Sequence, residues 1–323
     1  MIGKHFVDIQ NRNVRFKFEI ERNISIIRGD SATGKTTLIS MVNDYQSQGR
    51  ASGVQLSCDK NCVAMVGLGN NWKYFLAGIN DSIVFIDEGE EYVSSVDFAK
   101  TIEKTDNYYV IATRNNLCTL PYSVDAIYEL KCSGKYGSLK KTYNSMKRIY
   151  ADKFKIVNKM AENDVVVSED DHSGYEFYQA VTDSIGIACI TAHGKSNILN
   201  TIRTTHDKKL LIVADGAAFG PEISNVYGLA KSKGYTLFLP ESFEWLILKS
   251  GIIHDASLAD ILNEPGDYID STEYFSWERF FTALLIRLSD KTVYKYDKKR
   301  INSYYISNVN IKKILQDYFE DFR

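Results

Sequence analysis

Residues 29–37 read Gly29-Asp-Ser-Ala-Thr-Gly34-Lys35-Thr36-Thr37: two glycines with four residues between them, then a lysine and a hydroxyl side chain. Glycines at this spacing let backbone N–H groups close round phosphate oxygens. The lysine meets the β and γ oxygens, and the threonine hydroxyl binds Mg²⁺. The run follows an apolar stretch at residues 24–28 and precedes Leu38-Ile-Ser-Met-Val, which reads as a helix, so a strand-to-helix turn is expected. Gly29, Ser31, Thr33, Gly34, Lys35, Thr36 and Thr37 are the expected nucleotide contacts. Further on, Ile83-Val-Phe-Ile-Asp87-Glu88 is an apolar strand ending in two acids. Its end is expected beside the glycine loop, where Asp87 would join Thr36 in the Mg²⁺ shell and Glu88 would polarise an attacking water. Lys35 and Glu88 are the expected catalytic residues.

A second constellation lies in the other half. Val165-Val-Val-Ser-Glu169-Asp170-Asp171 ends one strand in three acids, and Leu210-Leu-Ile-Val-Ala-Asp215-Gly216 ends another in one. Ligands of α/β sheets bind at the carboxyl ends of the strands, so Glu169 and Asp215 can converge on one metal-binding crevice. Asp170, Asp171, Glu222, Glu241 and Glu244 are further carboxylates among which the pattern does not choose. Lys195, after Gly194 at a helix start, reads either as a phosphate contact or as a solvated side chain. His172 and His193 read as surface residues. Cys58 and Cys62, after the alternation of Val54 and Leu56, read as packed thiols of a β-hairpin rather than a zinc site, which would need a second pair.

Elements of two kinds must position these groups. Apolar runs of about five residues alternate with amphipathic stretches, the pattern of βα units, so the fold class is α/β. The first series has strands at 24–28, 83–86 and 109–113 with helices from Lys35 and Val96. The second has strands at 165–168, 187–190, 210–214 and 236–239. After Pro265 two helical stripes follow, Trp277 to Leu288 and Ile311 to Phe322, which read as core of the second domain or as an oligomer or partner interface. The expected domains are 1–150 and 160–323, the latter divided into an α/β part (160–265) and C-terminal helices (266–323). Residues 131–159 hold nine Lys or Arg against one acid, Asp152. They read as an inter-domain connection and as the best local nucleic-acid contact.

At 323 residues, with 44% hydrophobic and 25% charged residues, the chain is long enough for two cores and is not a disordered polymer. A net charge of -2 confines nucleic-acid binding to local patches. Five cysteines make no disulfide framework, and no apolar run reaches the length of a membrane span, so a cytoplasmic protein without a membrane partner is expected.

The glycine loop and the Asp87-Glu88 strand resemble the Walker A and Walker B motifs of P-loop NTPases, and Glu88 is similar to the hydrolytic glutamate of the ABC and AAA-type branch. That resemblance implies ATP, Mg²⁺ and hydrolysis, with Thr113 or Asn115 as candidate γ-phosphate sensor. It does not extend to ABC-type sandwiching of ATP, since residues 68–73 read Leu-Gly-Asn-Asn-Trp-Lys where a signature motif would stand. No arginine acting in trans is identifiable. Residues 165–245 resemble a TOPRIM domain, in which a Glu and an Asp-x-Asp hold Mg²⁺ for phosphodiester chemistry; Glu169 and Asp215 match, and Ala217 replaces the second Asp. The order of the two domains resembles the OLD family of ATP-dependent nucleases and related phage-defence proteins. It implies an ATPase that regulates a metal-dependent nuclease acting on DNA or RNA. The alternative is a nucleotide-controlled binding or scaffold protein whose TOPRIM-like domain has lost catalysis. A small P-loop kinase is disfavoured, because Asp87-Glu88 suits water activation and no arginine-rich lid is evident.

Overall fold

Strands with every residue buried form when β-branched and aromatic residues follow one another without alternation, and a parallel sheet covered on both faces is where such strands belong. The computed structural model describes residues 1–30, 33–132, 141–151, 154, 156 and 158–323. The protein is α/β, and the described residues pack as two units: Met1–Tyr150 with Glu264–Ser276, and Ala151–Asn263 with Trp277–Arg323. Among the described residues no helix is long and apolar enough to cross a membrane, and all five cysteines are free thiols.

In the first unit the strands are β1 (His5–Gln10), β2 (Val14–Ile20), β3 (Ile24–Arg28), β4 (Gln55–Ser57), β5 (Asn61–Met65), β6 (Ser82–Ile86), β7 (Tyr108–Ala112), β8 (Ile127–Cys132) and β9 (Thr142–Arg148). Helices α1 (Lys35–Gln48), α2 (Trp72–Leu76) and α3 (Val96–Ile102) accompany them. The nine strands form one mixed sheet in the order β4-β1-β2-β9-β8-β3-β7-β6-β5. Its β8-β3-β7-β6-β5 stretch is parallel, so the carboxyl ends of β3, β7 and β6 share one edge, with β7 between the other two.

The expected strands at 24–28, 83–86 and 109–113 are β3, β6 and β7. Four other findings were not expected. The alternating β1 and β2 form a hairpin, turned by Asn11, whose Oδ1 accepts from the N–H groups of Asn13 and Val14. Residues 142–148 of the basic segment are strand β9 of this sheet rather than linker, held between β2 and β8. The segment 264–276 also belongs to this unit: Gly3 N–H donates to the Gly266 carbonyl, and Asn23 Nδ2 to that of Phe275. Finally, Cys58 and Cys62 do not flank a hairpin, because β4 pairs with β1 and β5 with β6, at opposite ends of the sheet order. A flat nine-stranded sheet is about 40 Å wide, whereas the Cα path from Ser57 to Asn61 spans at most about 15 Å. The sheet therefore curls, and α1 packs on both of its ends.

The second unit contains β10 (Val165–Ser168), α4 (Ser173–Ile185), β11 (Ala188–Thr191), α5 (Lys195–Thr204), β12 (Leu210–Val213), α6 (Ile223–Lys233), β13 (Thr236–Phe238), α7 (Phe243–Lys249) and α8 (Leu258–Asn263), with α9 (Trp277–Ser289) and α10 (Asn308–Leu315). Its four strands are all parallel in the order β11-β10-β12-β13. Trp277, Phe280, Phe281, Leu284 and Leu285 of α9 are buried, as are Ile311, Ile314 and Leu315 of α10, so these stripes are core of the unit rather than exposed faces.

One close approach fixes the turn after β12. Gly216 N–H donates to the Pro240 carbonyl at 2.6 Å, and Ala217 N–H to that of Glu241 at 3.0 Å. A Cβ at Gly216 would lie 2.8 Å from Pro240 O and 2.9 Å from Leu239 O, and backbone oxygens cannot turn aside as a side chain can. Gly216→Ala is therefore expected to cost about 1–3 kcal/mol of overpacking strain, read as a lowered melting transition of the second unit; an unchanged transition would disprove the close approach.

Candidate functional site

In the first unit, the residue after each central parallel strand decides what meets at the edge. Gly29 and Gly34 adopt φ of 144° and 96°, the left-handed side that glycine tolerates, and they let the chain fold back from β3 into the first turn of α1. Lys35 is buried at 5% exposure, and its ammonium donates to the carbonyls of Gly29 (2.5 Å) and Asp30 (3.0 Å). Thr36 Oγ1 donates to Asp87 Oδ1 at 3.4 Å, and the same oxygen accepts from Glu88 N–H at 2.8 Å. Glu88 lies between two cations: Oε1 is 2.7 Å from Arg114 Nε and Oε2 is 3.9 Å from Lys35 Nζ.

Lys35, Thr36, Asp87 and Glu88 thus meet at one edge. Thr33 Oγ1 donates to the Asp30 carbonyl, Thr37 is exposed in the first turn of α1, and Ser31 lies outside the described residues. Of the two candidate sensors, Thr113 is buried and its hydroxyl accepts from Asn115 N–H, while Asn115 is exposed. Arg114, between them, is the side chain that reaches the acids. The sequence did hold a signal for it, a cation two residues past a fully buried strand.

In the second unit the chain leaves β10 for β11 on one side and later crosses to β12 on the other, so the switch point of the sheet lies between β10 and β12. Glu169 follows β10 and Asp215 closely follows β12, so the two carboxylates flank that crevice. A cavity of about 200 Å³ opens there, lined by Glu169, Asp215, Tyr178, Glu244, Glu278 and Lys298 among others. Glu169 Oε2 accepts from Asp215 N–H at 3.1 Å, and Asp215 Oδ1 from Phe243 N–H at 3.0 Å. Ser173 and Tyr296 share a hydrogen bond of 2.7 Å, and the Tyr296 hydroxyl donates to Glu244 Oε1 at 2.9 Å. Glu244 is only 2% exposed, yet its Oε2, like the Tyr178 hydroxyl, is buried without a hydrogen-bond partner. Lys298 Nζ pairs with Glu278 Oε1 at 2.8 Å.

Six carboxylates, Asp170 and Asp171 included, against one ammonium make this cavity electronegative. Burial, helped by the Glu278 charge, pushes the Glu169 carboxyl up to about 7, although the bond from Asp215 N–H works the other way. Asp215 is held well above the usual range by burial, then by Glu278, Glu244 and Glu169. Burial opposes the charge on Lys298, but Glu278, Glu244 and Asp215 outweigh it and raise its affinity for the proton. Perturbed groups gathered in one crevice are the pattern of a functional site.

Of the remaining expected residues, Asp170, Asp171 and His193 also line the cavity. Lys195 donates to the Ala218 carbonyl, and Asp170 accepts from Gly174 N–H. Asp171 pairs with the exposed His172 and His193. Ala217 is buried and does not line the cavity. Glu278 and Lys298, far along the chain, carried no sequence signal tying them to β10 and β12. Among the described residues no three His, Cys, Asp or Glu side chains are arranged to hold one metal ion. In the basic segment Lys141 donates to Gln10, Arg148 pairs with Glu21 and Tyr150 is buried, while residues 133–140, Lys153 and Lys155 lie outside the described residues.

The chain matches no protein-family model, and no curated protein is significantly similar to it. The chemistry of the cavity still yields a test. A carboxyl whose folded-state pKa rises from 4.5 to about 7 favours the fold in acid, and that contribution is lost as pH rises through about 7. With a chelator present, thermal melts from pH 4.5 to 8 are expected to show the second unit losing stability across this window. Glu169→Gln should flatten the profile; a parental slope in that variant would remove Glu169 as the cause.

Proposed function

We propose that the first unit binds ATP with Mg²⁺ and hydrolyses it, and that this ATPase regulates the second unit, a TOPRIM-type metal-dependent nuclease acting on DNA or RNA. The observation that carries the reading is that acids and cations gather, in both units, at the carboxyl ends of neighbouring parallel strands. In the first unit the donor set suits the group it would hold. Thr36 Oγ1 and Asp87 Oδ1 are hard oxygens at hydrogen-bond distance from each other, and Mg²⁺ takes such ligands together with phosphate oxygens. Mg²⁺ bound there would offset the charge of the phosphates. Lys35 binds the β and γ oxygens once it leaves the carbonyls of Gly29 and Asp30, and Glu88 accepts the proton of the attacking water.

In the second unit an all-oxygen donor set, including the orphaned Glu244 Oε2, suits a hard divalent cation. Glu169 and Asp215 would hold it, and it would supply polarisation of the phosphodiester. A second reading, a nucleotide-controlled binding or scaffold protein, is favoured by two observations. Ala217 offers no carboxylate, and the Lys298 ammonium already sits among the acids of the cavity.

Two experiments test these readings. Lys35→Ala is expected to abolish ATP turnover, and Glu88→Gln to retain binding while slowing hydrolysis by roughly 10²- to 10⁴-fold, both read by phosphate release. An unchanged rate in Glu88→Gln sinks the assignment of Glu88. Nicking of plasmid DNA or cleavage of RNA with Mg²⁺ or Mn²⁺ is expected in the parent and lost in Asp215→Ala, with ATP turnover intact. Intact ATP turnover with no cleavage of any nucleic acid would favour the scaffold reading.

A further inference from the structure

We infer that Arg114 reads the γ-phosphate of the nucleotide, and that its ion pair with Glu88 keeps the catalytic carboxylate occupied until that phosphate draws the guanidinium away. The inference rests on the ATP-hydrolysing reading of the first unit. Its basis is the strand order: β7 runs between β3, which leads into the glycine loop, and β6, which leads into Asp87 and Glu88. The first side chain beyond buried Thr113 therefore emerges between the phosphate loop and the acid pair. That side chain is Arg114, 52% exposed, with Nε 2.7 Å from Glu88 Oε1. The other carboxylate oxygen lies 3.9 Å from Lys35 Nζ. One carboxylate thus separates the guanidinium from the ammonium that meets the β and γ oxygens in a loop of this kind.

Charge decides which partner Arg114 takes. Lys35 and Arg114 balance Asp87 and Glu88, and Lys35 donates to two carbonyls. A γ-phosphate at Lys35 places additional negative charge beside Glu88. Repulsion between the two weakens the hold of the carboxylate, while the planar guanidinium can bind phosphate oxygens in a two-pronged fashion that a carboxylate shared with Lys35 does not match. Arg114 moves to the phosphate and Glu88 is released. The freed carboxylate takes the proton of a water whose oxygen bonds to the γ-phosphorus. The bond from that phosphorus to the β–γ bridging oxygen breaks, its electron pair stays on ADP, and Arg114 stabilises the charge that develops on the transferred group. ADP leaves the γ position empty, so with ADP bound Arg114 stays on Glu88. The residue makes the site distinguish triphosphate from diphosphate and ties water activation to that distinction.

The test measures binding of ADP and of the β,γ-imido analogue of ATP, with Mg²⁺, and the steady-state ATPase rate. Arg114→Ala is expected to weaken analogue binding by about tenfold or more, the effect of losing a charge-assisted hydrogen bond, and to leave ADP binding unchanged. Its kcat should fall by at least about 10²-fold. Arg114→Lys should recover binding better than rate, because it keeps the charge and loses the fork. Glu88→Gln removes the competing partner and should tighten analogue binding, and this gain should vanish in the Arg114→Ala background, a non-additivity that a structural ion pair does not produce. If the wild type hydrolyses ATP while Arg114→Ala keeps its rate and its preference for the analogue over ADP, Arg114 is a surface ion pair and the inference fails alone. If the wild type neither binds nor hydrolyses ATP, the ATPase reading fails and takes the inference with it.

Discussion

A parallel strand buried on both faces can carry no charge along its length, so the first position where its chain can present an ionised side chain is just past its last paired residue. Both units obey this constraint. Ile86 is followed by Asp87 and Glu88, Ala112 by Thr113 and Arg114, Ser168 by Glu169, and Val213 by Ala214 and Asp215. Parallel pairing then brings these ends to one edge without any contact between the side chains themselves. The apolar runs hold the strands in register, and the polar residues inherit their neighbours from strand order.

The two edges handle charge in opposite ways. In the first unit each acid has a partner of opposite sign or a hydrogen-bond donor, and the Lys35 ammonium is satisfied by backbone carbonyls. An anion entering such a site must displace existing contacts. In the second unit six carboxylates line a crevice with one lysine, and an oxygen of Glu244 has no donor. Removing such groups from water without full compensation is unfavourable. The fold tolerates it by raising the proton affinity of Asp215 and Glu169 and by tying Glu244 through Tyr296 to Ser173. The tension at that crevice is relieved by a cation or a proton.

What the sequence made legible follows from what local pattern can report. Runs such as Ile83 to Ile86 and Leu210 to Val213 announce buried strands, and acids just beyond them announce an edge, so Asp87, Glu88, Glu169 and Asp215 were all found. Alternation in Val14 to Ile20 is an equally local signal, of a strand with one face buried. Other features lay beyond any local reading. Residues 264–276 form no long element, and contacts far apart in sequence attach them to the first unit: Gly3 N–H to Gly266, Lys4 to Glu264, and the terminal ammonium of Met1 to Asp270 and Ser271. Glu278 and Lys298 reach the second cavity from helix α9 and from the irregular chain beyond it, and periodicity in α9 reports its buried face, not the place where its first turn ends up. Position 217 illustrates the opposite case: comparison with a motif directed attention there, and the fold turns the residue into the core.

The three residues between β4 and β5 tie together the two outermost strands of the nine-stranded sheet, and so make it a hoop. Helix α1 lays its buried face against β1 and β4 on one side and β5 and β6 on the other, while Thr36, Thr37, Ser40 and Asp44 face outward. Lifting that face of the helix means parting it from both ends of the sheet at once, whose strands are held by rows of backbone hydrogen bonds. A force applied at its first turn therefore finds its compliance elsewhere, in the short exits after β6 and β7, where the chain has left the sheet and few bonds hold it.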